Sequence, residues 1–254
     1  MLLIDKLSYR SKLRYVNASE KLMYAVLTLI LCILSHPVRV AALVFVINGI
    51  LTVGKGGIPL SRYIRLLMIP TAFLIAGTAA IVINISKVPM DAFALELGEW
   101  YITGSMAGIY RALVLCATAL SAVTCLYFLS LNTVMTDILD ALRKLHFPSL
   151  LIELMLLIYR FIFVLFQTAS AITVSQQARL GNRDFKTRVR SFGAMGSALF
   201  ILALKRSNML YDAMESRCYD GNIRVLTRMQ PARAGEIAVI AAIELILVLV
   251  WICG

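Results

Sequence analysis

The sequence predicts an all-α polytopic membrane protein, with about five transmembrane helices and long cytoplasmic coupling helices attached to them. Three observations carry this reading. Of 254 residues, 60% are hydrophobic and only 15% charged, with a mean hydropathy of +0.84, against an apolar share of roughly 45–50% in soluble domains. Apolar runs approaching a membrane thickness recur from Lys21 to the last residues. The net charge of +11 gathers in a few connections between those runs, as Lys and Arg do in cytoplasmic loops that set orientation. A basic soluble protein would suggest nucleic acid, but no basic stretch here lies on a recognisable nucleic-acid module, so membrane lipid is the expected surrounding and no nucleic-acid partner is expected.

Taken in order, Lys6, Arg10, Lys12 and Arg14 precede the first apolar run. That run carries no small-residue cleavage site, so removal of a signal peptide is not expected. The charges are expected to hold the N-terminus in the cytoplasm. Two short runs follow, Lys21 to Ser35 and Val40 to Val53, separated by His36-Pro37-Val38-Arg39. As one helix they would be about 50 Å long with Arg39 near mid-bilayer, at a cost of a few kcal/mol. A tight hairpin turning at Pro37 lets Arg39 reach the headgroups instead.

Gly54-Lys55-Gly56-Gly57-Ile58-Pro59 is a breaker cluster and, with Arg62 and Arg65, reads as a cytoplasmic loop. It is no phosphate-binding loop, because it lacks the Gly-x-x-x-x-Gly-Lys-Ser/Thr spacing. A third span is expected from Leu66 to Ser86. An acidic outer loop follows, with Asp91, Glu96 and Glu99, and ends on the aromatics Trp100 and Tyr101. A fourth span is expected from Ser105 to Asn132 and the last from Glu236 to Cys253. The domain division is then 1–132 as an N-terminal membrane domain, 133–234 as a coupling domain at the inner membrane surface, and 235–254 as a C-terminal span.

Hydropathy alone would add spans at Ser149 to Thr173 and at Phe192 to Leu204. If both crossed, Arg179, Arg183, Lys186, Arg188 and Arg190 would face outside against a single Asp184, which breaks the positive-inside rule. Glu153, Arg160 and Gln167, spaced by seven, form one polar stripe that calls for protein or water beside it. The region therefore reads as amphipathic helices along or below the inner face. Thr133 to Leu145 agrees, with Val134, Ile138, Leu142 and Leu145 on one face and Asp137, Asp140 and Lys144 off it.

Two arginine-centred segments recur in this region. Gln177-Ala178-Arg179-Leu180-Gly181 and Glu215-Ser216-Arg217-Cys218-Tyr219-Asp220-Gly221 each close a long helical stretch, with the arginines 38 residues apart. Gly181 and Gly221 suit the left-handed position after a helix. An arginine in a last turn is placed favourably against the helix dipole and offers a bidentate clamp to an acidic groove on a partner. Gly193, Gly196, Ala198 and Ala203 would let the last of these helices cross another closely, and Met195, Met209 and Met214 would let its surface repack.

From Tyr159 through Leu226 the chain resembles the transmembrane component of energy-coupling-factor transporters, a class of ATP-driven importers. The segment Ala213 to Gly221, Ile4-Asp5-Lys6-Leu7-Ser8-Tyr9 and the proline-bearing first hairpin resemble the cobalt-importer branch of that family. The resemblance implies a non-enzymatic coupling subunit working with two ATP-binding-cassette subunits and a small substrate-binding membrane subunit. ATP and Mg would be bound by the partners, and no cofactor by this chain. The family's two X-Arg-X docking motifs map to Ala178-Arg179-Leu180 and Ser216-Arg217-Cys218, the second departing from the commoner Ala-Arg-Gly wording. Glu215, Gly221, Gly193 and Gly196 would support the second.

Rival readings find less support. A membrane enzyme needs convergent acids, a histidine cluster or a nucleophile with its base, and the acidic residues are scattered. An autonomous secondary transporter or channel should show inverted repeats with broken helices, and the basic segment has no counterpart in the N-terminal half. His36 and His146 are isolated, and the cysteines Cys32, Cys116, Cys125, Cys218 and Cys253 form no CxxC pair. No metal site is expected, and the cysteines read as small core residues.

Overall fold

The computed structural model describes residues 3–35, 38–82, 84–86, 93–97, 100–221, 223, 231 and 233–252. The elements follow in order: α1 (Leu3–Arg10), a short 3-10 turn (Lys12–Tyr15), α2 (Ala18–Leu34), α3 (Val38–Gly49) with a π-helical extension (Ile50–Lys55), and α4 (Leu60–Val82). Then come β1 (Asn84–Ser86), β2 (Phe93–Leu97), β3 (Trp100–Gly104), α5 (Met106–Asn132), α6 (Met135–Lys144), α7 (Ser149–Ala178), α8 (Phe185–Glu215) and α9 (Ala234–Ile252). Two compact units result, residues 2–141 with 228–254, and residues 142–227. The boundary falls inside α6.

Five helices among the described residues are long and apolar enough to cross a membrane: Val38–Lys55, Leu60–Val82, Met106–Asn132, Ser149–Ala178 and Ala234–Ile252. The number matches the expectation, but the membership differs. α2 has 17 residues, about 26 Å at 1.5 Å per residue, whereas the 30 residues of α7 meet the criterion of length and composition. The connection between α4 and α5 is a three-stranded antiparallel sheet of order β1-β3-β2, with Asn84 opposite Thr103 and Leu97 opposite Trp100. Among the described residues the sheet is confined to that connection, and every candidate span is helical.

Several boundaries move. Leu60 opens α4, six residues before the expected Leu66, so Arg62 and Arg65 ride on its first turns rather than in a loop, and the helix ends at Val82. Pro59 explains the early start, because the N–H groups of Arg62 and Tyr63 both bond its carbonyl (2.9 and 3.2 Å). Gly54 and Lys55 belong to the π turn, where Gly56 N–H reaches back five residues to Leu51 O (2.9 Å). His36 and Pro37, at the expected hairpin turn, lie outside the described residues.

In the larger unit α5 is the hub, in contact with α2, α3 and α4. Leu7, Ile58, Tyr63, Leu67 and Leu131 form one buried cluster, Val40, Val44, Cys125 and Leu247 a second, and Tyr24, Ala25 and Phe128 a third. Into this interior the chain sets paired polar groups, as burial requires. Tyr24 Oη donates to Asn48 Oδ1 (3.0 Å), Asn48 Nδ2 faces Cys125 Sγ (3.2 Å), and Ser121 Oγ donates to Ala41 O (2.6 Å).

Helix ends and breaks receive side-chain donors. Pro70 inside α4 has no N–H for Leu66 O, and Tyr127 Oη donates to that carbonyl instead (3.1 Å). At the end of α5 the buried Lys21 Nζ donates to Asn132 O and to Leu13 O (both 3.0 Å), while Ser11 Oγ donates to Asn132 Oδ1 (2.7 Å). The ammonium thereby caps the terminal carbonyl of α5 at the negative end of its helix dipole and ties it to Leu13 O in the 3-10 turn. Gly56 closes the knot: a Cβ there would collide with Thr52 O and lie 2.5 Å from Asn132 Oδ1.

The smaller unit is a helical hairpin with little core. Among the residues of α7 only Ile152 and Glu153 are buried, and none of α8 is. Val134, just before α6, is buried as expected, but Leu139 and Ala141, off the expected face, are buried too, while Leu145 is 59% exposed. Leu145 lies past the end of α6, where His146 turns into the left-handed region at φ 60°.

Lys21→Met should lower stability by about 1–2 kcal/mol, because it strands the buried Asn132 carbonyl, whereas Leu13 O keeps the Val16 N–H. Tyr127→Phe should cost about 1 kcal/mol, the worth of one hydrogen bond. Thermal unfolding of the detergent-purified chain would rank them, and a Lys21→Met protein as stable as wild type would show that the knot does not hold the bundle.

Candidate functional site

Both arginine segments end their helices in the same backbone motif. After α7, Leu180 N–H bonds Gln177 O (3.1 Å) and Gly181 N–H bonds Gln176 O (2.8 Å). After α8, Cys218 N–H bonds Glu215 O (3.0 Å) and Tyr219 N–H bonds Met214 O (3.1 Å). These are the two paired bonds of a Schellman cap, one spanning six residues and enclosing one spanning four. Arg179 and Arg217 occupy the same place in it, the last residue before the chain reverses hand. Ala178, Arg179, Leu180, Ser216, Arg217 and Cys218 are all exposed.

The left-handed residue is not the expected glycine. Leu180 and Cys218 hold that position, each at φ 58°, at a cost of about 1–2 kcal/mol per non-glycine residue. Gly181 is needed one place later for a different reason. A Cβ there would lie 2.8 Å from Gln176 O and 2.9 Å from Ser191 Oγ. Gly221 is left-handed at φ 86°, but three residues beyond the cap position. Among the described residues the non-glycine positive φ values are those of His146, Leu180 and Cys218, and each ends one of the successive helices α6, α7 and α8.

Side chains then pin each cap. Ser191 Oγ donates to Gly181 O (2.9 Å), and Gln176 Nε2 donates to Ser191 O (2.8 Å), which ties α7 to α8 beside Arg179. Thr173 Oγ1 faces Met195 Sδ at 3.4 Å along the same seam. At the opposite end of the hairpin the buried Glu153 accepts Tyr219 Oη at 2.6 Å and Ile223 N–H at 3.0 Å. Arg143 Nη2 donates to Ile223 O (3.2 Å). The helices therefore run antiparallel, and Arg179 and Arg217 lie about 40 Å apart along α7, counting from Arg179 back to Glu153 at 1.5 Å per residue.

The remaining expected residues distribute as follows. Glu215 is exposed at the last turn of α8. Gly193 and Gly196 are exposed with open space around them, so the seam with α7 uses Ser191 and Met195 instead. Arg183, Lys186, Arg188 and Arg190 are exposed, as are Arg160 and Gln167 of the polar stripe. Cys32 and Cys125 are core residues, whereas Cys218 is exposed and free. Cys253 lies outside the described residues. Among the described residues no group of three His, Cys, Asp or Glu could hold a metal ion. Sequence reasoning missed Gln176, Ser191 and Arg143 and gave Tyr219 no role of its own, although the seven-residue stripe did mark Glu153.

Gly181→Ala should destabilise the hairpin, whereas Leu180→Gly and Cys218→Gly should stabilise it by about 1 kcal/mol each by relieving the left-handed residue. Chemical denaturation of the three variants would show opposite signs. The Tyr219 phenol is held above its ordinary range, first by its hydrogen bond to Glu153 and then by burial. A raised pKa contributes stability below the ordinary tyrosine value, and that stability is lost as pH rises through the raised one. The Tyr219–Glu153 bond should therefore persist at neutral pH and open only above about pH 10, read as Tyr219 ionisation in the ultraviolet absorbance difference against Tyr219→Phe.

A family profile described as cobalt transport protein CbiQ matches residues 10–229. An uncharacterized protein of Methanocaldococcus jannaschii, MJ1089, is 30% identical over 247 residues, covering 97% of this chain and 91% of that protein. The cobalt transport protein CbiQ of Salmonella typhimurium is 28% identical over 223 residues, 87% of this chain and 99% of its own. The energy-coupling factor transporter transmembrane protein EcfT of Staphylococcus aureus is 28% identical over 235 residues, 86% and 83% of the two chains. With its apolar helices, its arginine-tipped hairpin and a match over most of its length, this multi-pass membrane protein belongs to the CbiQ family of cobalt transport proteins.

Proposed function

We propose that this chain is the transmembrane coupling subunit of an energy-coupling-factor importer, carrying ATP-driven motion of two cytoplasmic ATPases to a separate substrate-binding membrane subunit, with cobalt ion as the substrate. The observation that carries the reading is the pair of exposed arginines on identical helix caps at opposite ends of one hairpin. One socket could not receive two ends about 40 Å apart. Two equivalent subunits, each with an acidic groove, could receive one each, and a guanidinium is the side chain suited to bidentate pairing there. This chain itself binds neither ATP nor a cofactor and catalyses no reaction.

The mechanism follows from linkage. ATP binding closes the cassettes, the sockets approach each other, and the docked hairpin is displaced as a body. α6 is the covalent path for that displacement, because the division between the two units falls within it, between Ala141 and Leu142. The substrate-binding subunit responds by changing the side to which its site faces. Charge orders the topology: Arg179, Arg183, Lys186, Arg188 and Arg190 place the hairpin turn on the cytoplasmic side, together with the N-terminus. Although α7 is long enough to span, we assign residues 133–234 to the inner surface on that ground. The opposite assignment would put five cations outside.

Pull-down of the tagged chain from solubilised membranes should recover two cassette ATPase copies and a small membrane protein. Arg179→Glu combined with Arg217→Glu should lose the ATPases, since reversing a charge at a buried interface pair costs several kcal/mol. Recovery of the same ATPases with the double variant would sink the docking role. A cysteine at Arg183 should resist impermeant label applied from outside, whereas one at Phe93 should react.

A further inference from the structure

Each cap has one residue that both closes the Schellman bond and is anchored to the facing helix. For the first it is Gly181, whose N–H bonds Gln176 O and whose carbonyl takes the Ser191 hydroxyl. For the second it is Tyr219, whose N–H bonds Met214 O and whose phenol reaches Glu153. The first anchor is local, ten residues away in sequence. The second crosses 66 residues and rests on one carboxylate that is 4% exposed.

The two oxygens of Glu153 are given to neutral donors, Oε2 to Tyr219 Oη and Oε1 to Ile223 N–H. A buried carboxylate satisfied in this way is costly to place and demands those partners in fixed positions. Arg143, which bonds the carbonyl of Ile223, closes the loop from the other side. The chain leaving the second cap is thus held at two points, residues 219 and 223, that bracket the left-handed Gly221.

We propose that Glu153 is the positioning residue for the second arginine: by gripping Tyr219 and Ile223 it fixes the direction in which Arg217 leaves α8, so that docking through Arg217, and not through Arg179, depends on it. The inference rests on the docking role of the two arginines. Its distinctive content is the selectivity, because a general loss of fold would weaken both ends alike. Tyr219 is the physical link, since its backbone belongs to the cap that carries Arg217 and its side chain to the Glu153 contact.

The test is a double-mutant cycle on the assembled complex, reading the affinity of the ATPase pair for the chain. Glu153→Ala and, more gently, Tyr219→Phe should weaken association by about threefold to tenfold, the net worth of one hydrogen bond. In an Arg179→Ala background that loss should appear in full; in an Arg217→Ala background it should vanish, the non-additivity expected of groups acting through one contact. Glu153→Gln should recover most of the affinity, because its Oε1 accepts from Ile223 N–H while its Nε2 donates to the phenol oxygen. Additive losses in both arginine backgrounds would overturn the proposal. If Arg179→Ala and Arg217→Ala themselves leave association unchanged, the docking role fails, and this inference fails with it. Hydrogen exchange at the Ile223 amide in the purified chain separates the two failures, since Glu153→Ala should accelerate it whether or not the arginines dock.

Discussion

A helix in hydrocarbon has no water to complete its backbone hydrogen bonds, and every break in a ladder must be repaired from within the protein. The larger unit is organised around such repairs. Pro70 frees the carbonyl of Leu66, and Tyr127 takes it. α5 ends at Asn132, and Lys21 takes the terminal carbonyl while Ser11 takes the side-chain oxygen. Tyr127 ties α4 to α5 and Lys21 ties α2 to it, so the groups that satisfy the backbone also fix how those helices pack. The apolar clusters fill the space between, but side chains of Leu and Val alone would not set this register, because lipid solvates them equally well.

The hairpin unit answers to a different constraint. With two buried residues on α7 and none on α8, it has too little core to be held by burial, and polar ties at its two ends do that work. Gln176, Ser191 and Gly181 close the turn end, and Glu153, Tyr219, Ile223 and Arg143 the open end. Between them Phe185, Phe192, Phe200 and Met209 are each at least 66% exposed. Such a surface is foreign to an isolated soluble element and consistent with one that works inside an assembly.

The sequence is legible where single residues act by charge or by run length. Apolar stretches locate most of the helices, and the repeated arginines mark the ends of α7 and α8. Legibility fails where a partner is distant or backbone geometry overrides preference. Glycine's affinity for the left-handed region points to Gly181 and Gly221, yet Leu180 and Cys218 take that region, because Gly181 is claimed by its close approach to Gln176 O and Ser191 Oγ. The stripe through Glu153 is visible, but nothing within a few turns of it foretells Tyr219, 66 residues on. The face of α6 shifts because a cap at His146 places Leu145 outside the helix, and the sheet between α4 and α5 falls in a stretch without the alternation that announces strands.

The left-handed leucine and cysteine bear on the coupling role proposed for the hairpin. A glycine in their place would close the same cap without strain, but would also leave the helix end free to sample other conformations, since glycine reaches both hands of the backbone readily. A side chain at that position narrows the choice, and the strain persists because the surrounding bonds over-determine the conformation. Three consecutive helices end this way, and two of those ends carry the arginines. For the coupling role proposed above, narrowed helix ends would transmit displacement rather than absorb it. The stability lost at each strained residue is offset by the anchors that Ser191 and Glu153 supply next to it.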